Sequence, residues 1–449
     1  MDRYWNPYLE MMSPQERRRL QETRFLELVR HTVRRSDFYR RKYQEAGVDL
    51  DKIRSLDDIR RLPTVDKNDF RDSQLRKPPY GDYTGIEVDQ AITLHGSGGT
   101  TGKPMLYLDS RTSWEAVADI WATSLVAQGV GPGSRVFFPF AYSTFVGYWG
   151  AHYAVEKIGA VAIPAGGFDT ATRVKMLVDV DATNVIAMPS YCLVLAQTAE
   201  EMGIHLARDT QVIGVHHAAE PGGSVPGTKK RIESYYTNSY DNYGMVELGA
   251  NSLFECARKT GMHVLDDQYI LEVLHPETRE PVKEGEVGEL VWTSIALRSF
   301  DAQPLIRCSS KDLAVYTDEP CACGRTYRRV IGGILGRTDT TKKVKGVLLY
   351  PSAIESTLSQ FTEIGHEWEA IINRVENKDS LTVQIEVDTS QMRQDQVQDL
   401  SHRVQRALRA DLYITPEIDL VPMGQIAKRY EGVLKPTWKR VVDKRDVAF

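Results

Sequence analysis

The stretch Leu94-His95-Gly96-Ser97-Gly98-Gly99-Thr100-Thr101-Gly102-Lys103-Pro104-Met105-Leu106-Tyr107 places four glycines in the seven residues from Gly96 to Gly102. Without Cβ atoms the backbone can close round an anion, with the hydroxyls of Ser97, Thr100 and Thr101 and the ammonium of Lys103 as donors. The chemistry of such a bend is phosphate holding. It is not a Walker loop, because Ser97 stands at the first glycine position and Pro104 at the hydroxyl position. It is not the dinucleotide fingerprint either, because Thr101 stands where the last glycine is required.

A second constellation has the residue types of a metal centre. Cys256 and His263 lie seven apart around Gly261, and Cys321 and Cys323 share the turn Pro320-Cys321-Ala322-Cys323-Gly324. Three thiolates and one imidazole suffice for a closed, structural zinc site. C-x-C is tighter than the usual C-x-x-C, so scattered free thiols stay open as the alternative. Five cysteines, an odd number, do not suggest a disulfide framework.

The elements that must position these groups follow from pattern. At 449 residues the chain predicts two or three domains. A net charge of -5, from 56 basic and 61 acidic residues, carries no electrostatic footprint for nucleic acid or an anionic membrane. No apolar run of membrane-spanning length and no signal-peptide pattern is visible, and a cytoplasmic location is expected. Residues 13–46 have helical periodicity, with the arginines at 17 to 19 read as a solvated face. Strands at 91–94 and 105–108 would make the glycine bend a hairpin.

From Ser110 onward helical stretches at 114–128, 146–158, 170–180 and 191–202 alternate with apolar strands at 135–140, 160–164, 185–188 and 212–216. Such alternation predicts an α/β domain with a mostly parallel sheet flanked by helices. Ligands of such sheets sit beyond the carboxyl ends of the strands. Two loops there carry chemistry: His216-His217-Ala218-Ala219-Glu220-Pro221 and Tyr240-Asp241-Asn242-Tyr243-Gly244-Met245-Val246-Glu247.

Taken with Gly288-Glu289-Leu290-Val291-Trp292-Thr293, Ile306-Arg307-Cys308-Ser309-Ser310-Lys311-Asp312-Leu313 and Gly336-Arg337-Thr338-Asp339, these segments resemble the adenylate-forming superfamily in order and spacing. Ala219-Glu220-Pro221, the Cys321 to Arg325 turn and Tyr350-Pro351-Ser352-Ala353-Ile354-Glu355 resemble its phenylacetate-CoA ligase branch.

The resemblance implies that Ser97, Gly98, Gly99, Thr100, Thr101, Gly102 and Lys103 grip the phosphates of ATP. It implies that Glu247 holds Mg2+, that Tyr243 stacks on the adenine face with Asp241 and Asn242 near its edge, that Gly244 belongs to the same nucleotide-binding segment, and that Asp312 and Arg337 bind the ribose. Glu220 lines the same crevice, and the branch carries zinc near such cysteines, here Cys256, His263, Cys321 and Cys323. The acid would lie between the helix at 146–158 and the loops around His217 and Tyr243, with Tyr142, Phe145, Trp149, His217 and Ala218 as walls; aromatic walls suit a flat acid.

The resemblance further implies that residues 1–337 form the adenylating domain and 338–449 a small mobile α+β lid, hinged at Asp339, with Lys345 and Gly346 on its thioester-forming face. The family's adenylation lysine falls at Thr437 here, leaving Lys435 or Lys439 for that work, and Ser310-Lys311-Asp312 replaces the usual Thr-Gly-Asp. The expected activity is ATP-dependent conversion of a small aromatic acid to its acyl-adenylate and transfer to coenzyme A. Alternatives are an amine or carrier-protein acceptor, nitrite activation as in diazotases, or a silent nucleotide-binding scaffold; homodimerisation stays open.

Overall fold

The computed structural model describes residues 3–97, 104–220, 222–249, 251–339, 341–345, 347–365, 367–375, 378–429 and 440–445. The chain divides into two compact units, one of Met1–Ala219 with Glu233–Ile331, the other of Glu220–Ile232 with Gly332–Phe449.

After a short helix, Pro7–Glu10, the larger unit has the long helix Pro14–Arg35, started by a capping box in which Ser13 and Glu16 bond each other's backbone. The helical run breaks at Ser36, which caps the next helix, Asp37–Glu45, through its hydroxyl. The arginine face is not simply solvated: the Arg17 side chain is 14% exposed, donates to the Thr326 carbonyl and hydroxyl, and pairs with Asp266. Arg18 conforms to expectation, pairing with Asp57 in water.

Among the described residues the core is an eleven-stranded sheet. Half of it is parallel, in the order Val161–Pro164, Arg135–Phe138, Asn184–Ile186, Gly214–His217, Ser239–Tyr243. The three central strands are buried almost throughout, as two-sided parallel strands must be, and even their polar members Asn184, His216 and His217 are enclosed. The helices Arg111–Ala127 and Val146–Ile158 pack on each other at Gly150, where a Cβ would come 2.8 Å from the Trp121 ring. Beyond Tyr243 the sheet continues antiparallel through Leu253–Glu255, Met262–Val264, Arg329–Arg337, Cys308–Thr317, Val287–Ser294 and Tyr269–Leu274.

The smaller unit has a four-stranded sheet in the order Glu417–Pro422, Lys378–Val387, Trp368–Val375, Val441–Asp443. The helix Gln394–Leu412 lays Leu400, Val404, Leu408 and Leu412, spaced four apart, on Trp368, Ile372, Val383 and Ile385. At the far end of Lys378–Val387 the buried Glu386 carboxylate accepts from the backbone N–H groups of Gly424, Ile426 and Ala427. Among the described residues no helix is long and apolar enough to cross a membrane.

Candidate active site

The glycine bend is carried by an antiparallel pair, Thr93–Gly96 with Leu106–Asp109. Ser97 closes its base: the Ser97 N–H donates to the Met105 carbonyl at 2.9 Å, and the Ser97 hydroxyl accepts from Met105 N–H at 3.2 Å. Gly98, Gly99, Thr100, Thr101, Gly102 and Lys103 lie outside the described residues. His95, just before the bend, stacks on Trp114 with centroids 4.5 Å apart, and burial pushes its pKa down to about 4, so it stands there uncharged.

The second strand of the pair reaches the Glu247 segment with alternate side chains, which a strand presents on one face. The Tyr107 hydroxyl donates to Glu247 Oε1 at 2.8 Å. Burial and the Glu247 charge push that phenol well above its ordinary pKa, so it remains the donor. Asp109, two residues on, takes Arg298 in a two-pronged pair at 2.6 and 3.0 Å, and Arg298 donates to the carbonyls of Val246 and Glu247 at 3.1 and 3.0 Å. Burial opposes the Arg298 charge, but Asp109 more than offsets it and the guanidinium pKa rises. One strand therefore links the base of the glycine bend to the backbone and carboxylate of Glu247.

Tyr243 ends the last parallel strand, and its hydroxyl donates to Asp312 Oδ2 at 2.6 Å, joining two predicted nucleotide residues 69 positions apart. Gly244 follows directly. Asp241 is buried, its N–H donating to Glu255 Oε2 at 2.9 Å. The Asn242 amide is engaged inside the sheet, donating to the His217 carbonyl at 3.0 Å and accepting from Gln128 Nε2 at 2.9 Å. Gln128 also meets His216 Nδ1 at 2.7 Å, and burial, with His217 beside it, pushes His216 down to about 3. These neutral groups knit the parallel strands under the crevice.

His217 is fully buried, its ring nitrogens 3.2 Å from the Ala187 carbonyl and 3.0 Å from the Ser239 hydroxyl. Its imidazole therefore braces the strand end rather than projecting from it. Ala218, Tyr142, Phe145 and Trp149 share one apolar cluster with Val246, the neighbour of Glu247. The loops carrying them contain two non-glycine residues in the left-handed region, Ser143 at φ 47° and Ala219 at φ 78°. Such strain at the carboxyl ends of parallel strands concentrates at ligand sites.

Cys256, His263, Cys321 and Cys323 are buried together, with one ligand atom of each lying within 4.8 Å of the others. Cys256 Sγ is 3.9 Å from Cys321 Sγ, and Cys323 Sγ is 3.5 Å from His263 Nε2. Tetrahedral zinc, with bonds of about 2.3 Å to sulfur and 2.0–2.1 Å to nitrogen, requires separations of about 3.8 and 3.5 Å, which these two pairs match. The Cys256 thiol and the His263 ring hold Cys323 below the usual thiol range, and the same contact pushes Cys256 up. The N-terminus clasps this cluster: Arg325, 1% exposed, points toward Cys323 Sγ at 3.8 Å and pairs with Glu10, while Tyr4 donates to the Cys323 carbonyl.

In the smaller unit Arg337 forms a two-pronged pair with Asp339, at 3.0 and 2.8 Å. Glu220 belongs to this unit, and Lys345 sits at φ 49°. Pro221, Gly346, Lys435, Thr437 and Lys439 lie outside the described residues. Sequence reasoning missed Tyr107, Asp109 and Arg298. Tyr107 and Asp109 could have been found from period-two spacing after the bend, whereas nothing local marks Arg298.

A hairpin bend, a buried carboxylate tied to it and a strand-end tyrosine bonded to an aspartate of the neighbouring antiparallel strands are the parts expected of an adenylate-forming enzyme. Residues 346–445 match the family described as AMP-binding enzyme C-terminal domain. The chain is 32% identical to the phenylacetate-coenzyme A ligase of Thermus thermophilus, over 98% of this chain and 99% of that one. It is 30% identical to the Escherichia coli K12 phenylacetate-coenzyme A ligase, over 94% and 95%. The solved structure of 2-hydroxyisobutyryl-CoA ligase, in the postadenylation state with 2-HIB-AMP, matches with TM-score 0.89 at 30% identity, covering 99% of this chain and 93% of that one. The chain belongs to the phenylacetate-CoA ligase branch of the adenylate-forming enzymes, the AMP-forming acid–CoA ligases.

Proposed function

We infer that the chain activates a small aromatic carboxylic acid with ATP and transfers the acyl group to coenzyme A. The observation that carries this reading is the Tyr243–Asp312 hydrogen bond at 2.6 Å, in a chain alike over its whole length to phenylacetate-CoA ligases. An acid carboxylate attacks the α-phosphorus of ATP, an O–P bond forms, and the bond to pyrophosphate breaks. The CoA sulfur then attacks the acyl carbon and AMP leaves. Both substrates are anionic in the first step, so the protein's work is positioning and charge neutralisation.

Ser97, Thr100, Thr101 and Lys103 bind the β- and γ-phosphates, Tyr243 stacks on adenine, and Asp312 with Arg337 binds the ribose. Glu247 is placed to hold Mg2+, which would neutralise charge on the phosphate oxygens. Tyr142, Phe145 and Ala218 wall the acid, with His217 bracing the strand behind them. Lys435 or Lys439 approaches the α-phosphate, and Asp339 serves as hinge. Pyrophosphate release on adding ATP and an aryl acid, with acyl-CoA formed only when CoA is present, is the expected result. An acyl-amide or a loaded carrier in place of acyl-CoA would reassign the acceptor, and no pyrophosphate with any acid would refute the reading.

The cysteine-histidine cluster is read as a structural zinc site, supported by its buried, closed donor set. Elemental analysis is expected to find zinc in the native chain and little in Cys323→Ser, with a lower Tm in the variant. An unchanged Tm and no zinc in either protein would end the claim.

A further inference from the structure

Tyr142, His152 and Glu156 form a chain of side chains beside the acid walls. Tyr142 lies in the loop leaving the carboxyl end of Arg135–Phe138, and that loop is tied to the glycine bend, since Gly96 N–H donates to the Thr144 carbonyl at 2.9 Å. The approach is close: a Cβ on Gly96 would lie 2.9 Å from the Thr144 hydroxyl oxygen. His152 and Glu156 stand one turn apart on the helix Val146–Ile158. The Tyr142 hydroxyl is 3.0 Å from His152 Nδ1, and His152 Nε2 is 3.4 Å from Glu156 Oε1.

Glu156 stands beside Nε2 as an ion-pair partner, and the tautomer that faces it carries its proton on Nε2, leaving Nδ1 an acceptor. In that tautomer the Tyr142 hydroxyl donates its one proton to Nδ1. Burial and the Glu156 charge push the Tyr142 pKa up, so the phenol keeps that proton. What remains for a ligand is the oxygen's lone-pair side. The Tyr142 ring itself packs among apolar rings, with the centroids of Trp149, Phe138 and Phe140 at 4.8, 5.6 and 5.8 Å from its own.

We propose that Tyr142 determines specificity by accepting a hydrogen bond from a hydroxyl or amino group on the acid, with His152 and Glu156 as positioning residues that forbid it to donate. The preferred substrate is then a hydroxy- or amino-substituted acid, ahead of its unsubstituted or O-methylated counterpart. An O-methyl group brings only lone pairs to the Tyr142 oxygen. This proposal rests on the ligase reading.

The test measures kcat/KM with the full chain, ATP, Mg2+ and CoA for matched sets of phenylacetates and benzoates, each unsubstituted, hydroxylated, aminated or methoxylated at each ring position. A net hydrogen bond of ordinary strength predicts that the best hydroxy or amino acid exceeds its methoxy partner by about tenfold. Tyr142→Phe should bring that ratio close to one. His152→Leu frees the Tyr142 proton and should shift the ratio toward the methoxy acid, an effect that general loosening of the pocket would not produce. Because each ratio is taken within one protein, a loss of overall rate does not blur it. Turnover of the acids with a flat hydroxy-to-methoxy ratio, or a ratio that survives Tyr142→Phe, overturns this inference alone. Absence of pyrophosphate release with every acid overturns the ligase reading and this inference with it.

Discussion

Replacing Glu247 by Gln is expected to slow pyrophosphate release by about 10²–10³-fold, the scale on which removal of one preorganised electrostatic group costs an enzyme. The amide keeps the size of the side chain and can still accept from Tyr107, which now donates to Oε1 at 2.8 Å. What it loses is the negative charge that a hard cation needs beside it. The loss should appear as a weaker dependence on Mg2+ as well as a lower kcat, with Tm within a few degrees of the native protein. Near-normal turnover with an unaltered Mg2+ profile would remove Glu247 from the reaction.

Replacing Arg298 by Met should do its damage in stability. The Asp109 side chain is 0% exposed and that of Arg298 3%. Taking away one member of such a pair strands a buried charge, which costs about 3–5 kcal/mol. The carbonyls of Val246 and Glu247 lose their donor at the same time. Thermal unfolding is expected to fall by on the order of 10 °C. Arg298→Met combined with Asp109→Leu should recover much of that loss, because removing both charges together avoids the stranded one. If the single variant unfolds like the native chain, the pair is not what fixes the Glu247 backbone.

The difference between these two residues shows what was legible in the sequence. Glu247 stands in a segment whose neighbours from Tyr240 onward have a recognisable order, and local order survives in one dimension. Arg298 acts across 189 positions, to Asp109, and no periodicity encodes that distance. The hairpin at the glycine bend and the alternating strands and helices to His217 were readable because each element buries a stretch of its own sequence. The antiparallel half of the sheet was not, because strands such as Leu253–Glu255 and Met262–Val264 are three residues long and buried throughout, with no alternation to mark them. His217 illustrates the remaining ambiguity: a histidine at a strand end suits a crevice or a core equally by type, and its full burial, with contacts to Ala187, Ser239 and Cys192, is a feature of three-dimensional packing that no local pattern announces.

The clasp between the first residues and the Arg325 turn also constrains how the protein is made. Glu10 and Arg17 leave the ribosome well before their partners Arg325 and Thr326, which follow 315 and 309 positions later. At about 5–20 residues per second, translation leaves the opening helices waiting for about 15–60 s with those faces uncovered. Chaperone demand during synthesis should therefore fall on the amino-terminal helices.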